Sequence, residues 1–179
     1  EITSFAQIVM DAIGQGMNNL TPLQIANYVA TLANGGTRHR VMLVDKITDP
    51  NGNVIQEFKP EVVDTLDIPE EYLQAVKEGM RRVNTGNAGS LANECFGEGR
   101  FPILVCGKTG TADFGDQEQY DNQGRKPYGN YISFAPMDDP EIAIFSTLYE
   151  VSGKGKSIHW ANFYSARMFD QYKLQNRRK

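Results

Sequence analysis

Only four residues, Met137-Asp138-Asp139-Pro140, separate the strand-like runs YISFAP and EIAIFSTLYE. A parallel pair needs a crossover of a dozen or more residues, so these two runs are antiparallel neighbours. A third β-rich run, Ile103 to Thr111, precedes them, and a helix-period segment from about His159 to Leu174 follows. Three consecutive strands and then a packing helix describe an α+β fold with an antiparallel sheet flanked by helices. In that last helix Trp160, Phe163, Tyr164, Met168 and Tyr172 are expected to face the core, with Trp160 as an anchor.

The N-terminal half has a different make-up. In NLTPLQIANYVATLANGG, Thr21 fits an N-cap, Pro22 the first helical position, and Gln24 the reciprocal place in a capping box. Leu20 and Ile25 have the spacing of a hydrophobic staple. Leu23, Ile25, Ala26, Val29, Ala30, Leu32 and Ala33 then run nearly all round, the pattern of a buried helix. Asn34-Gly35-Gly36 ends it, and Gly14-Gln15-Gly16 before it is a turn. RVMLVDKITDPNGNVIQEF reads as a hairpin about Asp49-Pro50-Asn51-Gly52.

IPEEYLQAVKEGMRRVNTG reads as a helix started by Pro69, with Glu70 and Glu71 at its positive end and Arg81 and Arg82 at its negative end. Leu73, Val76, Met80 and Val83 form its packing stripe. Residues 84–100 are loop-like and glycine-rich. DFGDQEQYDNQGRKPYGN is a long polar loop of the kind that often carries function.

With 179 residues, 40% hydrophobic and 22% charged, the chain can bury a core of ordinary globular type. Its net charge of −4 argues against nucleic acid as a partner, because phosphate contacts need clustered Lys and Arg. Arg177, Arg178 and Lys179 form the one basic cluster and read as a solvated tail. No apolar run approaches the roughly 20 residues of a membrane helix. The opening EITSFAQIVMDAIGQG has neither an initiator Met nor a basic leader, so the chain is expected to begin inside a longer protein. Cys95 and Cys106 are too few for a metal site and are expected to be buried thiols rather than a disulfide.

The stretch ILVCGKTGTAD carries the candidate chemistry. Gly107-Lys108-Thr109 matches the end of a phosphate-binding loop, G-x-x-x-x-G-K-[ST]. The first glycine of that pattern falls on Pro102, the intervening residues are strand-formers, and no helical pattern follows Thr111. A nucleotide-binding module is therefore disfavoured. The alternative is a K-T-G element on a strand, as in the K-T-G that accompanies S-x-x-K in penicillin-binding enzymes. Strand alternation sends Lys108 and Gly110 to one face and Thr109 and Thr111 to the other. Lys108 can then reach into a site while Gly110 leaves room beside it, and an edge strand offers its backbone to an extended peptide.

K-T-G has company. The order GQG, TPLQ helix, ANGG, hairpin, helix, KTGTA, FAP, strand and C-terminal helix resembles the C-terminal part of the transpeptidase domain of class B penicillin-binding proteins over essentially the whole chain. The resemblance implies that residues 1–179 are the C-terminal portion of a single domain whose full sheet has five antiparallel strands. It implies a D,D-transpeptidase in which a serine attacks a D-Ala-D-Ala stem peptide of peptidoglycan, releases D-Ala and passes the acyl group to an amine. β-Lactams would acylate the same serine. It implies that Lys108 hydrogen-bonds the serine of a second motif and sets the site's field. Thr109 and Thr111, with Gly110 beside them, would bind the substrate carboxylate, and the Thr111 N–H would supply half an oxyanion hole.

No cofactor or metal is implied. The location implied is extracytoplasmic, with a membrane anchor upstream and with division or elongation membrane proteins as partners. A β-lactam sensor or non-catalytic scaffold of the same family would show the same residues here.

One part of the pattern is not in these residues. No lysine has a serine three positions before it, and S-x-N does not occur. The nucleophile and the rest of the domain are expected upstream, and the 179 residues alone are expected to be inactive. His39 and His159 have no metal or triad spacing. Asp113, Asp116, Glu118 and Asp121 lack the Gly and Glu positions of a calcium loop and read as a solvated loop. Tyr120, Tyr128 and Tyr131 read equally as rim or packing residues, and Asp138 and Asp139 as turn residues.

Overall fold

A computed structural model describes residues 4–16, 18–86, 90–112, 128–149 and 160–176. The chain runs α1 (Phe5–Ala12), α2 (Pro22–Ala33), β1 (Thr37–His39), β2 (Lys46–Thr48), β3 (Val54–Glu57), β4 (Val62–Thr65), α3 (Glu70–Thr85), α4 (Leu91–Phe96), β5 (Cys106–Ala112), β6 (Tyr128–Ala135), β7 (Ile142–Leu148) and α5 (Trp160–Asn176). Lys154-Gly155-Lys156, His159, the basic tail, and the acidic loop with Tyr120 lie outside the described residues.

The antiparallel sheet expected from the short Met137–Pro140 connection is present, in the order β5-β6-β7. Its register sets Lys108 opposite Ile132 and Thr109 opposite Tyr131, then Tyr131 opposite Ser146. The period of two divides the apolar residues between two cores. Tyr131, Ala135 and Ile144 join Val105, Phe96, Ala161 and Phe169 on one face. Cys106 and Phe134 join Val29, Ala33 and Met80 on the other. On the first face Phe96 stacks on Tyr131 at 5.8 Å and meets Phe101 and Phe169 edge-on at 5.3 and 6.0 Å.

Two further antiparallel pairs, β1 with β4 and β2 with β3, are separate from this sheet, and Asn27 of α2 bonds His39 O of β1. The hairpin about Asp49 is as expected: the Asp49 carboxylate accepts from the backbone N–H groups of Asn51 and Asn53.

α2 starts as its sequence predicts, with Thr21 and Gln24 bonding reciprocally across the first turn. It is not buried all round, however: Leu23 is exposed and so, at 55%, is Tyr28, while Val29, Thr31 and Ala33 are buried. Leu20 of the expected staple is exposed as well. Composition sets how apolar a helix is, but only packing decides how much of it is covered.

α3 buries Leu73 and Met80 of its expected stripe, but the buried face is rotated from that stripe. Leu73, Lys77, Met80 and Asn84 are buried, whereas Val76 is 46% exposed. The two polar members are buried because each bonds a backbone carbonyl. Lys77 Nζ donates to Ala33 O at 2.6 Å, at the end of α2, and lies 5.9 Å from the Phe134 ring centre. Asn84 Nδ2 donates to Val105 O at 2.7 Å.

α5 corrects the aromatic stripe. Ala161, Asn162, Ser165 and Phe169 face the sheet, while Trp160, Tyr164 and Met168 are exposed. Small residues let the helix axis approach the sheet, and the Ser165 and Ser146 hydroxyls hydrogen-bond at 2.8 Å across it. The 84–100 segment is not all loop: Ser90 caps α4 by accepting from the Asn93 N–H.

Candidate active site wall

Lys108, Thr109, Gly110 and Thr111 lie in the second half of β5. Among the described residues no strand pairs with the other edge of β5. Lys108 lies on the face of Cys106 and Phe134. It lines an apolar groove of about 390 Å³ together with Tyr28, Val29, Leu32, Val76, Gly79, Met80, Val83 and Ile132. Its ammonium, exposed, donates to Thr109 O at 2.6 Å. Thr109 and Thr111 alternate to the opposite face of the strand. Lysine and hydroxyls therefore leave the strand on opposite faces. Thr109 is half-buried and Thr111 exposed.

The two glycines of the motif differ. A Cβ on Gly110 would meet only Asn130 Cβ at 3.5 Å, an ordinary contact. A Cβ on Gly107 would lie 2.0 Å from Tyr131 Oη, an impossible approach. Gly107 is thus required by Tyr131, whereas among the described residues nothing crowds a side chain at Gly110.

Cys106 sits beside Lys108 in sequence but is no nucleophile. Burial pushes its thiol up to about 12, against the pull of Lys77 and Arg81, so it stays protonated at neutral pH. Burial raises the Cys95 thiol as well, and both cysteines are free. Lys108-Thr109 lies in mid-strand, which is the wrong local structure for a phosphate loop at a helix N-terminus. Among the described residues no group of His, Cys, Asp and Glu is placed to hold a metal. Of the tyrosines, Tyr131 is core and Tyr128 meets Tyr149 edge-on at 4.7 Å.

The sequence pattern of the penicillin binding protein transpeptidase domain matches residues 3–168. The chain belongs to this family. It is 38% identical over 142 residues to penicillin-binding protein 2A of Bacillus subtilis, covering 74% of this chain and 19% of that protein. It is 33% identical over 147 residues to penicillin-binding protein 2B of Streptococcus pneumoniae, covering 79% of this chain and 21% of that protein.

Peptidoglycan D,D-transpeptidase PbpA of Mycolicibacterium smegmatis is 32% identical over 145 residues, 80% of this chain and 27% of that one. The chain thus spans about a fifth to a quarter of the length of these relatives. Among solved structures, S. pneumoniae penicillin-binding protein 2B superposes with a TM-score of 0.75 at 24% identity, over 97% of this chain and 28% of that one. The penicillin G acyl-enzyme complex of Mycobacterium tuberculosis penicillin-binding protein A gives a TM-score of 0.71 at 25% identity, over 94% of this chain and 36% of that one. The α+β fold with an antiparallel sheet is the fold of these transpeptidase structures.

Asn84 and Lys77 are polar groups near the site that sequence patterns did not single out, and Tyr131, read there as rim or packing, is packing. Gly107 was the available signal, because glycine inside a strand marks a close approach.

Proposed function

We propose that this chain is one wall of a peptidoglycan D,D-transpeptidase that works by serine acyl transfer on D-Ala-D-Ala stem peptides. The supporting observation is the Lys108-Thr109-Gly110-Thr111 edge strand beside an exposed apolar groove, in a chain of the transpeptidase family. The serine and its base come from a segment of the same domain outside these 179 residues, since no S-x-x-K occurs within them.

In this reading the stem peptide lies along the free edge of β5. Lys108 holds a positive charge next to the reacting serine and hydrogen-bonds the second motif's serine. The Thr109 and Thr111 hydroxyls donate to the terminal carboxylate, and Gly110 gives the peptide room. As the serine oxygen bonds to the penultimate D-Ala carbonyl carbon, the Thr111 N–H donates to the developing oxyanion. The C–N bond then breaks, the amine leaves protonated as D-Ala, and an amine of a second peptide attacks the acyl-enzyme. A β-lactam is opened by the same serine, and a relative has been captured as a penicillin G acyl-enzyme. The work is done at the extracytoplasmic face of the membrane, with an upstream anchor and with division or elongation membrane proteins as partners. No helix among the described residues is long and apolar enough to cross a membrane.

Fluorescent penicillin tests this. The protein carrying the whole domain should take one covalent label on a serine outside these residues, and the 179-residue chain none. Lys108→Ala should slow acylation more than about tenfold, a barrier increase of about 1.4 kcal/mol. A rate within about threefold of wild type would remove Lys108 from the mechanism.

A further inference from the structure

Behind the candidate site lies a buried polar chain that its chemistry does not use. The Tyr131 hydroxyl donates to Asn84 Oδ1 at 2.8 Å. Asn84 Nδ2 donates in turn to Val105 O at 2.7 Å, one residue before β5 begins. Asn93 Nδ2 donates to Asn84 O at 3.0 Å, which ties the end of α3 to α4. Tyr131 and Asn84 are both fully buried. Burial keeps the phenol above its ordinary range, so it donates as a neutral hydroxyl.

The phenol also lies across Gly107, which is why that position tolerates no Cβ. Thus the chain is held just before β5 at Val105 and within it at Gly107, and the next side chain is Lys108. The helix that supplies Asn84 also supplies Val76, Gly79, Met80 and Val83 to the groove wall facing Lys108.

We infer that Tyr131 and Asn84 are a positioning pair for the reaction: they set the separation of α3 from β5 and so the place from which Lys108 projects. Neither touches substrate. The catalytic part of this inference rests on the transpeptidase reading; the mechanical part does not.

The test uses the full-length protein. Single-turnover acylation by fluorescent penicillin, run over a concentration series, separates the acylation rate constant from the dissociation constant of the reversible complex. Hydrogen exchange is read in parallel on peptides covering residues 103–112. Tyr131→Phe removes one oxygen and keeps the ring. Asn84→Asp keeps an oxygen for Tyr131 but loses the donor to Val105.

Both should lower the acylation constant about tenfold, as small misplacements of a reacting group do, with the dissociation constant within about twofold of wild type. Exchange should quicken in residues 106–112 and not across the remaining sheet. Tyr164→Phe, on the exposed face of α5, should change neither.

Acylation within about twofold of wild type in both folded variants overturns the inference. So does exchange that rises evenly over the whole domain, or failure of both variants to fold, since each marks a purely structural pair. A wild-type protein that takes no label defeats the transpeptidase reading instead. Exchange then decides alone, and unchanged exchange at 106–112 overturns the pair.

Discussion

The two faces of the β5-β6-β7 sheet are covered to different depths. On one, Phe96 of α4, Phe169 of α5 and Phe101 from the segment after α4 meet one another and close over Tyr131. On the other, α2 and α3 meet the sheet through Val29, Ala33 and Met80, yet leave Tyr28, Val76 and Lys108 lining a groove. The motif residue with a charge faces the incompletely covered side. The filled face holds the strand in place, and the unfilled face leaves the Lys108 side of β5 open, the side on which the proposed reaction would run.

The largest expected effect breaks the filled face. Phe169→Ala should cost about 3–5 kcal/mol, read from the midpoint and slope of denaturant unfolding, because it empties a fully enclosed ring site. A loss under about 1 kcal/mol would mean that the aromatic cluster is not the tighter of the two cores. Next comes Thr21→Ala, which strips the cap from the helix forming one wall of the groove and should cost about 1 kcal/mol. Val76→Ala on the groove side should cost no more than about 0.5 kcal/mol, since its side chain is already half in solvent. A Val76 loss matching that of Phe169 would erase the distinction between the faces.

The smallest effect is a pH dependence on α3. Arg81 and Arg82 both bond the Glu78 carboxylate, at 2.6 and 2.8 Å, and hold it at about 2 instead of 4.5. A lowered folded-state value stabilises above the unfolded value. The contribution is whole above pH 4.5 and fades as pH falls toward about 2. Thermal unfolding of Glu78→Gln should therefore lose less between pH 5 and pH 2.5 than wild type. Parallel acid slopes for the two would count against the pairing.

What could be read from the sequence was what short-range geometry dictates. The Thr21-Gln24 cap, the Asp49 turn and the antiparallel β6-β7 pair each depend on a handful of adjacent residues, and each is present. Which way a helix faces depends on distant partners. Lys77 and Asn84 point inward on α3 because carbonyls at Ala33 and Val105 receive them, and nothing near them in sequence announces those acceptors.

In α5 the aromatic residues suggested the wrong side, since small Ala161 and Ser165 make the closer approach. α4 was hidden by a glycine-rich composition, although Ser90 and Asn93 carried its capping signal. At the site, the K-T-G residues were legible as a motif. The buried Tyr131-Asn84 contact behind them was written only as an unexplained glycine.

The Lys77 bond to the last turn of α2 has a mechanical consequence. It fixes that helix at its C-terminal end, where Val29 and Ala33 are also packed, while the end near Leu23 stands in solvent. The same bond joins the two helices that line the groove, α2 and α3, so both walls share one buried polar tie, and loss of the Lys77 ammonium would loosen them together.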